Sequence, residues 1–178
     1  MSIDGFIAGP QGEMDWMTWN WDNELAQYVT ELTEPVDCIL LGRVLAEGFI
    51  PVWESRLADP EAPDAAFAGK MVHTPKVVFS KTLERIEWNN TTLAQQDLAT
   101  EIMALKQQPG QDIIAYGGAR FVSSLIELGL IDELHLFVNP AALGSGMRIF
   151  TGRSQYRLVH SRGFACGIAV LHYEPLRQ

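Results

Sequence analysis

Apolar positions along the chain follow two spacings, one typical of strands and the other typical of helices. Short apolar runs cover residues 36–42, 76–80 and 112–116. Between and after these runs, apolar residues recur every three or four positions, which is the spacing of an amphipathic helix. Strands that alternate with helices favour a mostly parallel sheet covered on both faces. The first two thirds of the chain are therefore predicted to have an α/β fold.

The helical spacing predicts five helices. They cover residues 23–32, 43–48, 64–72, 97–107 and 121–128. Pro109 and Gly110 end the fourth helix, and Gly129 is suited to cap the last one. Turn-forming residues thus mark the borders between the predicted helices and strands.

The last third of the chain has the spacing of strands. Polar and apolar residues alternate over residues 132–139, 156–161 and 165–173. Arg162 and Gly163 separate the last two segments and predict the turn of an antiparallel hairpin. The hairpin would make the predicted sheet mixed. Because no repeat or low-complexity tract divides the chain, a single domain over residues 1–178 is expected.

Composition and charge narrow the class of partner. With 47% hydrophobic and 20% charged residues, the chain has an ordinary globular composition. Its net charge of −9 repels nucleic acid and anionic membrane surfaces, so neither is an expected partner. No apolar run approaches the roughly 20 residues of a membrane span. Cys38 and Cys166 lie far apart in apolar surroundings and are expected to be reduced, which favours a cytoplasmic protein.

Candidate anion donors follow three of the predicted strands. Ligands of parallel sheets bind beyond the carboxyl ends of the strands. Taken singly, a glycine pair there could be only a tight turn, and each cation could be only a solvated surface residue. Together they predict a ligand with two separated phosphate groups, such as NADPH. The candidate cofactor-binding residues are Gly42, Arg43, Ser80, Lys81, Tyr116, Gly117, Gly118, Ala119 and Arg120.

Four ordered motifs carry a resemblance to a known family. They are SIDGFIAGPQGEMDWM at residues 2–17, ILLGR at 39–43, VVFSKTL at 77–83 and IIAYGGARFVSSLIELGLIDELHLFVNPAALGSG at 113–146. In these motifs the chain resembles the dihydrofolate reductase-like family. The matching branch contains the reductase domain of the bifunctional riboflavin-biosynthesis deaminase-reductase and its stand-alone relatives.

The resemblance implies a fold, an activity and a partner. The fold is a three-layer α/β/α arrangement with a mixed, mostly parallel central sheet and a C-terminal antiparallel hairpin. The activity is NADPH-dependent hydride transfer to a small flat heterocycle or a carbonyl or imine compound, similar to a riboflavin precursor or a pterin. A second copy of the chain is the implied protein partner, because the family commonly forms homodimers.

The resemblance also implies where the cofactor binds. Gly117 and Gly118 would hold the pyrophosphate. Arg43 and Ser80, together with Lys81, would lie at the adenosine 2′-phosphate. The strand ends would then contact both phosphate positions of NADPH, which agrees with the layout expected from the residues themselves.

Two aspartates are candidate catalytic residues. Asp4 in the S-I-D-G motif would face the nicotinamide and the substrate, as Tyr116 would by its position before the glycines. If Asp4 donates a proton, burial should raise its pKa; the alternative is a turn cap that holds the loop over residues 9–12. Asp15 lies in a loop that resembles the mobile flap of dihydrofolate reductases, with simple packing as its alternative.

The chain departs from the family pattern at three points. Leu45 occupies a position where family members often have a phosphate-binding threonine. Only Met1 precedes Ser2, so the first central strand of the family is expected to be short or to begin upstream. The zinc-ligand signature of the deaminase domain is absent, so deamination is not expected. Leu45, together with the lack of a recognisable substrate-binding acid, keeps an alternative open, in which the chain binds the cofactor but is a catalytically weak regulatory or interaction protein.

No metal site is expected from the sequence. His73, His135, His160 and His172 are scattered and lack a ligand spacing such as HExxH. His135 and His172 fall within strand patterns and are interpreted as packed residues of the sheet. The tryptophans at positions 16, 19 and 21 could stack on a flat substrate, or they could belong to the core or to a dimer face.

Overall fold

The computed structural model describes residues 1–59, 61–62 and 64–176. The chain divides into two compact units. One unit combines Met1–Val29 with Val122–Gln178, and the other is Thr30–Phe121. Within the described residues, no helix is long and apolar enough to cross a membrane. Each unit contains its own sheet. The candidate cofactor-binding residues all lie in the unit Thr30–Phe121.

Four parallel strands form the sheet of the unit Thr30–Phe121. They are β1 (Val36–Gly42), β2 (Lys76–Phe79), β3 (Thr91–Leu93) and β4 (Asp112–Ala115). The order across the sheet is β3-β2-β1-β4, and every neighbouring pair is parallel. The predicted parallel sheet is thus confirmed, with β3 added to the strands that the sequence predicts.

Five helices occur in the described residues, in the order that the sequence predicts. They are α1 (Asn23–Thr33), α2 (Arg43–Ala58), α3 (Ala65–His73), α4 (Leu98–Lys106) and α5 (Ala119–Glu127). Asp97 caps α4 with its carboxylate, which accepts hydrogen bonds from two backbone N–H groups of the first turn. Beyond α5, Gly129 has a φ of +65° and ends that helix as predicted.

α2 is ten residues longer than the predicted helix over residues 43–48. Gly48 and Pro51 weaken a helix locally, and a proline inside a helix removes one hydrogen bond. The buried side chains of Ala46 and Ile50 lie on the face of α2 that packs into the core, and Trp53 packs on the ring of Phe67. Tertiary packing therefore outweighs the two breakers.

An antiparallel sheet lies in the other unit. Its strands are β5 (Leu134–Val138), β6 (Tyr156–Gly163) and β7 (Ala169–Pro175), in the order β5-β7-β6. The predicted C-terminal hairpin is confirmed by the pairing of β6 with β7. The parallel and antiparallel strands form two separate sheets in the structure, whereas a single mixed sheet was expected from the sequence. The α/β class is confirmed.

The turn of the hairpin differs from the predicted one. Arg162 and Gly163 belong to β6 and do not form the turn. The chain reverses between Phe164 and Ile168, where the Phe164 N–H donates to the Ile168 carbonyl at 2.9 Å. Gly167 has a φ of +91°, which a glycine adopts without strain. The glycine that makes the turn is therefore the later of the two in this segment.

The first residues of the chain pair with the end of β5. The Asn139 N–H donates to the Met1 carbonyl at 2.7 Å, and the Ile3 N–H donates to the Ala141 carbonyl at 2.8 Å. The Met1 amino group also donates to the Phe137 carbonyl at 2.5 Å, so Met1 bonds to the residues on either side of Val138, as in a parallel pairing. Residues 1–3 thus run beside the end of β5, where their backbone groups find partners.

The core of the parallel unit is apolar and closely packed. Its fully buried side chains include Ile39 and Leu41 of β1 and Val78 of β2. Cys38 and Cys166 are free thiols, and burial raises the pKa of Cys38 to about 11. The thiol of Cys38 therefore stays protonated near neutral pH, in keeping with a structural role.

The burial of β1 predicts a large difference between two leucines. Leu41 has no solvent exposure, whereas Leu158 in β6 is 50% exposed. Leu41→Ala should lower the free energy of unfolding by about 2–5 kcal/mol, because the lost contacts leave a cavity. Leu158→Ala should change it by about 0.5 kcal/mol or less. Urea titrations followed by circular dichroism measure both values, and equal losses would contradict the placement of β1 in the core.

Candidate functional site

Three strand ends meet at one edge of the parallel sheet. Gly42 and Phe79, the last residues of β1 and β2, are partners in the register of the sheet. On the other side of β1, the Tyr116 N–H donates to the Leu40 carbonyl at 3.3 Å and continues the pairing of β4. The structure therefore brings together the residues that follow β1, β2 and β4, as the alternating pattern predicts.

A turn of two glycines follows β4. Gly117 and Gly118 have φ values of +35° and +78°, which lie in the left-handed region that favours glycine. Their backbone N–H groups have no hydrogen-bond acceptor among the residues that the structure describes. α5 begins at the next residue, Ala119. The turn thus offers backbone donors beside the positive end of a helix dipole, an arrangement that favours anions.

Phe121 fixes the first turn of α5 over the neighbouring strand ends. Its Cβ would lie 3.0 Å from a Cβ built on Gly42, so only glycine allows this approach without a shift. The rings of Phe121 and Phe79 are 5.1 Å apart. The start of α5 is therefore held against the ends of both β1 and β2. Nothing in the sequence singles out Phe121 for this role, because its contacts are made to residues far away in the chain.

Leu45 of α2 packs against the glycine turn. A Cβ on Gly117 would lie 3.2 Å from the Leu45 Cδ2 atom. The family pattern often has threonine here, and a threonine hydroxyl could donate a hydrogen bond. Leu45 supplies an apolar contact in its place, so at this position α2 contributes packing to the turn and no phosphate donor.

Arg43 lies at the first turn of α2 and is paired with Glu47. The Arg43 Nη1 atom is 2.7 Å from the Glu47 Oε1 atom, and both side chains are exposed. An exposed pair four residues apart in a helix is worth only about 0.3–0.5 kcal/mol. A phosphate group could therefore replace Glu47 as the partner of Arg43 at little cost. The spacing of four residues is the sequence signal for this pair.

Ser80 and Lys81 follow β2. The Ser80 Oγ atom accepts hydrogen bonds from the backbone N–H groups of Thr82 and Leu83, at 3.0 and 2.9 Å. Lys81 is exposed. The Ser80 oxygen thus holds the turn that presents Lys81, while its hydroxyl hydrogen can still be donated. Arg120 adds another exposed cation in the first turn of α5.

The side chain of Tyr116 packs inward. Its ring lies 5.3 Å from the ring of Phe49, against the core cluster of the parallel unit. Its hydroxyl is buried and has no hydrogen-bond partner among the described residues. Burial raises the pKa of Tyr116, so the hydroxyl stays protonated near neutral pH. A buried, unpaired hydroxyl costs about 1–3 kcal/mol, which a hydrogen-bonding ligand or water would recover.

Asp4 lies in the unit that contains the antiparallel sheet, and hydrogen bonds hold its carboxylate in place. It accepts hydrogen bonds from the Ser2 hydroxyl at 2.7 Å, from the Gly144 N–H at 2.7 Å and from the Leu143 N–H at 3.1 Å. The Ser2 bond, followed by the Gly144 bond, lowers the pKa of Asp4 to about 2. The raised pKa that a proton-donating Asp4 would need is therefore not found, because hydrogen bonds to the charged form outweigh burial.

Asp4 also caps a different loop from the one that the sequence suggests. The alternative expected from the sequence was a cap on residues 9–12, but the carboxylate holds the loop around Leu143 and Gly144. These partners are separated from Asp4 by about 140 positions, so no local pattern could have named them. Asp4 thus fixes the segment that follows β5.

The loop that contains Asp15 is tied down at its end. Asp15 itself is exposed. The Trp16 Nε1 atom donates to the Glu13 carbonyl at 3.0 Å, and the Thr18 N–H donates to the Asn139 Oδ1 atom at 2.9 Å. Trp19 is 62% exposed, which places it outside the core. The end of this loop is therefore anchored by Asn139, a buried residue for which the sequence predicts no such role.

Comparison with known proteins agrees with this arrangement. The family described as the RibD C-terminal domain matches residues 1–170. The uncharacterised protein YyaP of Bacillus subtilis (strain 168) is 33% identical over 178 residues, which cover 97% of this chain and 90% of YyaP. A family match over nearly the whole chain, with a relative of this similarity, goes beyond likeness of fold.

Solved structures show the same fold. A candidate riboflavin biosynthesis protein of Shewanella sp. PV-4 superposes with a TM-score of 0.71 at 21% identity, and the match covers 99% of this chain and 96% of that one. A diaminohydroxyphosphoribosylaminopyrimidine deaminase/5-amino-6-(5-phosphoribosylamino)uracil reductase of Thermotoga maritima gives 0.67 at 17% identity, covering 98% of this chain and 54% of that one. The chain is a member of the RibD C-terminal domain family.

Proposed function

We propose that the chain is an NADPH-dependent reductase that transfers hydride to a small flat heterocycle or to a related carbonyl or imine compound. The observation that carries the proposal is the turn of Gly117 and Gly118, whose N–H groups lack acceptors among the described residues. The turn lies where β4 ends and α5 begins. Such junctions bind phosphate groups because backbone donors and the helix dipole act together.

The residues at the sheet edge fit a dinucleotide phosphate. Gly117 and Gly118 would hold the pyrophosphate through their backbone N–H groups. Arg43, Ser80 and Lys81 would hold the 2′-phosphate through charge and hydrogen bonds. When bound, NADPH supplies a hydride to an electron-poor carbon of the substrate. The chain itself contributes binding and orientation, which are the main demands of this chemistry on a protein.

The substrate class is supported by the names of similar proteins. The Thermotoga protein is described as reducing a phosphoribosylamino-uracil, which is a pyrimidine. We therefore favour a pyrimidine-like or pterin-like heterocycle over an open-chain substrate.

A second candidate function is cofactor binding with weak catalysis, in a regulatory or interaction protein. The ionised state of Asp4 favours it, because a carboxylate with a pKa of about 2 does not donate a proton near neutral pH. Leu45, which offers no phosphate donor, points the same way. Both candidates predict nucleotide binding, and only the first predicts turnover of the bound cofactor.

Substitutions at two positions should change the affinities for NADPH and NADH in different ways. Arg43→Ala should weaken NADPH binding about 10-fold to 100-fold, because one charge-assisted contact to the 2′-phosphate is lost. The same variant should leave NADH binding within about twofold, since NADH lacks that phosphate. Gly118→Ala should weaken both nucleotides about tenfold, because its φ of +78° strains a side chain. Isothermal titration calorimetry measures each affinity.

Two control variants complete this experiment. Arg153→Ala removes an exposed arginine from the other unit, and Gly152→Ala adds a Cβ in open space. Both should keep the wild-type affinities. No NADPH binding by the wild-type protein would overturn the proposal. Binding without oxidation of NADPH in the presence of pyrimidines, pterins and related carbonyl compounds would favour the second candidate function.

The charge of Asp4 predicts a pH-dependent contribution to stability. Because its pKa of about 2 in the folded protein lies below the unfolded value, ionised Asp4 stabilises the fold above about pH 4. This contribution is lost as the pH falls towards 2. Asp4→Asn should therefore lower the free energy of unfolding at pH 6, and the difference from wild type should shrink at pH 3. Urea titrations at both pH values measure it.

Asp15→Asn is the matched control, because Asp15 is also an aspartate near the N-terminus but is exposed. Its effect on the free energy of unfolding should be small at both pH values. A loss for Asp4→Asn that grows between pH 6 and pH 3 would contradict the anchoring role. Such a result would instead suit a carboxyl group with a raised pKa.

A further inference from the structure

Two histidines lie side by side in the antiparallel sheet. His135 of β5 and His172 of β7 are partners in the register, so their side chains share one face of the sheet. Their rings are stacked, with centroids 4.2 Å apart and planes inclined by 18°. The side chains are 20% and 18% exposed. Strand pairing thus places two half-buried imidazoles side by side, although the two histidines are far apart in the sequence.

Glu133 brings a carboxylate to both rings. Its Oε2 atom lies 3.3 Å from the His135 Nε2 atom and 3.0 Å from the His172 Nε2 atom. The His172 Nε2 atom is buried, and the nearby carboxylate does not complete a hydrogen bond with it. One oxygen and two nitrogens therefore converge, and one of the nitrogens still lacks a partner.

We propose that Glu133, His135 and His172 form a binding site for Zn²⁺ or a similar divalent transition-metal ion. The three ligand atoms lie within 4.8 Å of one another. Bonds of about 2.0–2.1 Å in a tetrahedral zinc site place two ligand atoms about 3.3–3.4 Å apart. The Glu133 Oε2 atom lies at this distance from the His135 Nε2 atom and 0.3 Å closer to the His172 Nε2 atom, at 3.3 and 3.0 Å. Because a metal–imidazole bond lies in the plane of the ring, one ring has to turn out of the stacked arrangement when the ion binds. Two imidazoles and a carboxylate are donors that zinc accepts.

Tyr28 of α1 supports the first histidine from behind. Its hydroxyl oxygen is 3.4 Å from the His135 Nδ1 atom. When Nε2 binds the ion, Nδ1 carries the proton and donates it to this oxygen, as the second ring nitrogen of metal-bound histidines usually does to a neighbouring acceptor. Phe137 and Phe164 pack edge-on against the Tyr28 ring and fix its position. The orientation of His135 is therefore set by packing as well as by the sheet.

The site is reachable by an ion from solvent. The Glu133 side chain is 55% exposed and borders an open cleft that also includes Asp132 and Glu174. Glu174 is paired with Arg157 at 2.5 Å, whereas the Glu133 carboxylate faces the two imidazoles and would attract a cation. Three protein ligands leave one tetrahedral position for water or another ligand, as in zinc sites that are open.

Direct titration tests the proposal. The protein, freed of any polyhistidine tag and treated with EDTA, should bind Zn²⁺ at a ratio of 1:1 with micromolar affinity by calorimetry. Glu133→Gln and His172→Ala should each weaken binding at least about 100-fold, because loss of an outer partner alone costs 10- to 100-fold. As a control, His73→Ala removes an exposed histidine of the unit Thr30–Phe121 and should leave the affinity unchanged.

Cobalt provides a second readout. Co²⁺ bound by two imidazoles and a carboxylate in a tetrahedral site should give visible absorption bands, and His172→Ala should abolish them. Glu133 lies outside the strands and is exposed, so Glu133→Gln should fold like wild type. This variant therefore still tests the site if His172→Ala does not fold. Equal zinc affinities in wild type and Glu133→Gln, or no zinc binding by the wild-type protein, would overturn the proposal.

Discussion

Parallel pairing on both sides of β1 is the constraint on which the candidate site depends. Because β2, β1 and β4 run in the same direction, the residues that follow them are delivered to one edge of the sheet. β1 lies between β2 and β4, and its Ile39 and Leu41 have no solvent exposure, so the position of its end at Gly42 is set by the core. Arg43, Ser80 and Gly117 then come together whatever their separation in the chain. The chemistry of the edge is thus a consequence of strand direction.

Close packing of the start of α5 leaves backbone donors at that edge. Phe121 can approach the end of β1 only because Gly42 has no side chain. In the turn of positive φ values, the N–H groups of Gly117 and Gly118 have no acceptor within the part of the chain that the structure describes. Backbone geometry therefore supplies the donors, and the charges of Arg43 and Lys81 supplement them. This division suits an acidic protein, whose net charge of −9 would repel a phosphate without such local donors.

Local patterns predicted most of the elements, and contacts distant in sequence explain the differences. The helix over residues 43–48 extends through Pro51, because Ile50 and its neighbours bury a continuous face. The pKa of Asp4 could not be predicted, since its partner Gly144 lies 140 positions away. The same holds for His135 and His172, which only the β5–β7 register brings together. The strand ends were predictable because parallel order depends on the alternation of elements, which the sequence displays.

The most direct test of the account is a crystal structure of the protein with NADP⁺. We expect pyrophosphate oxygens at hydrogen-bonding distance, about 2.7–3.2 Å, from the backbone nitrogens of Gly117 and Gly118. We also expect the 2′-phosphate to replace Glu47 as the partner of Arg43. A nucleotide bound elsewhere, with the two glycine N–H groups left facing solvent, would contradict the central claim.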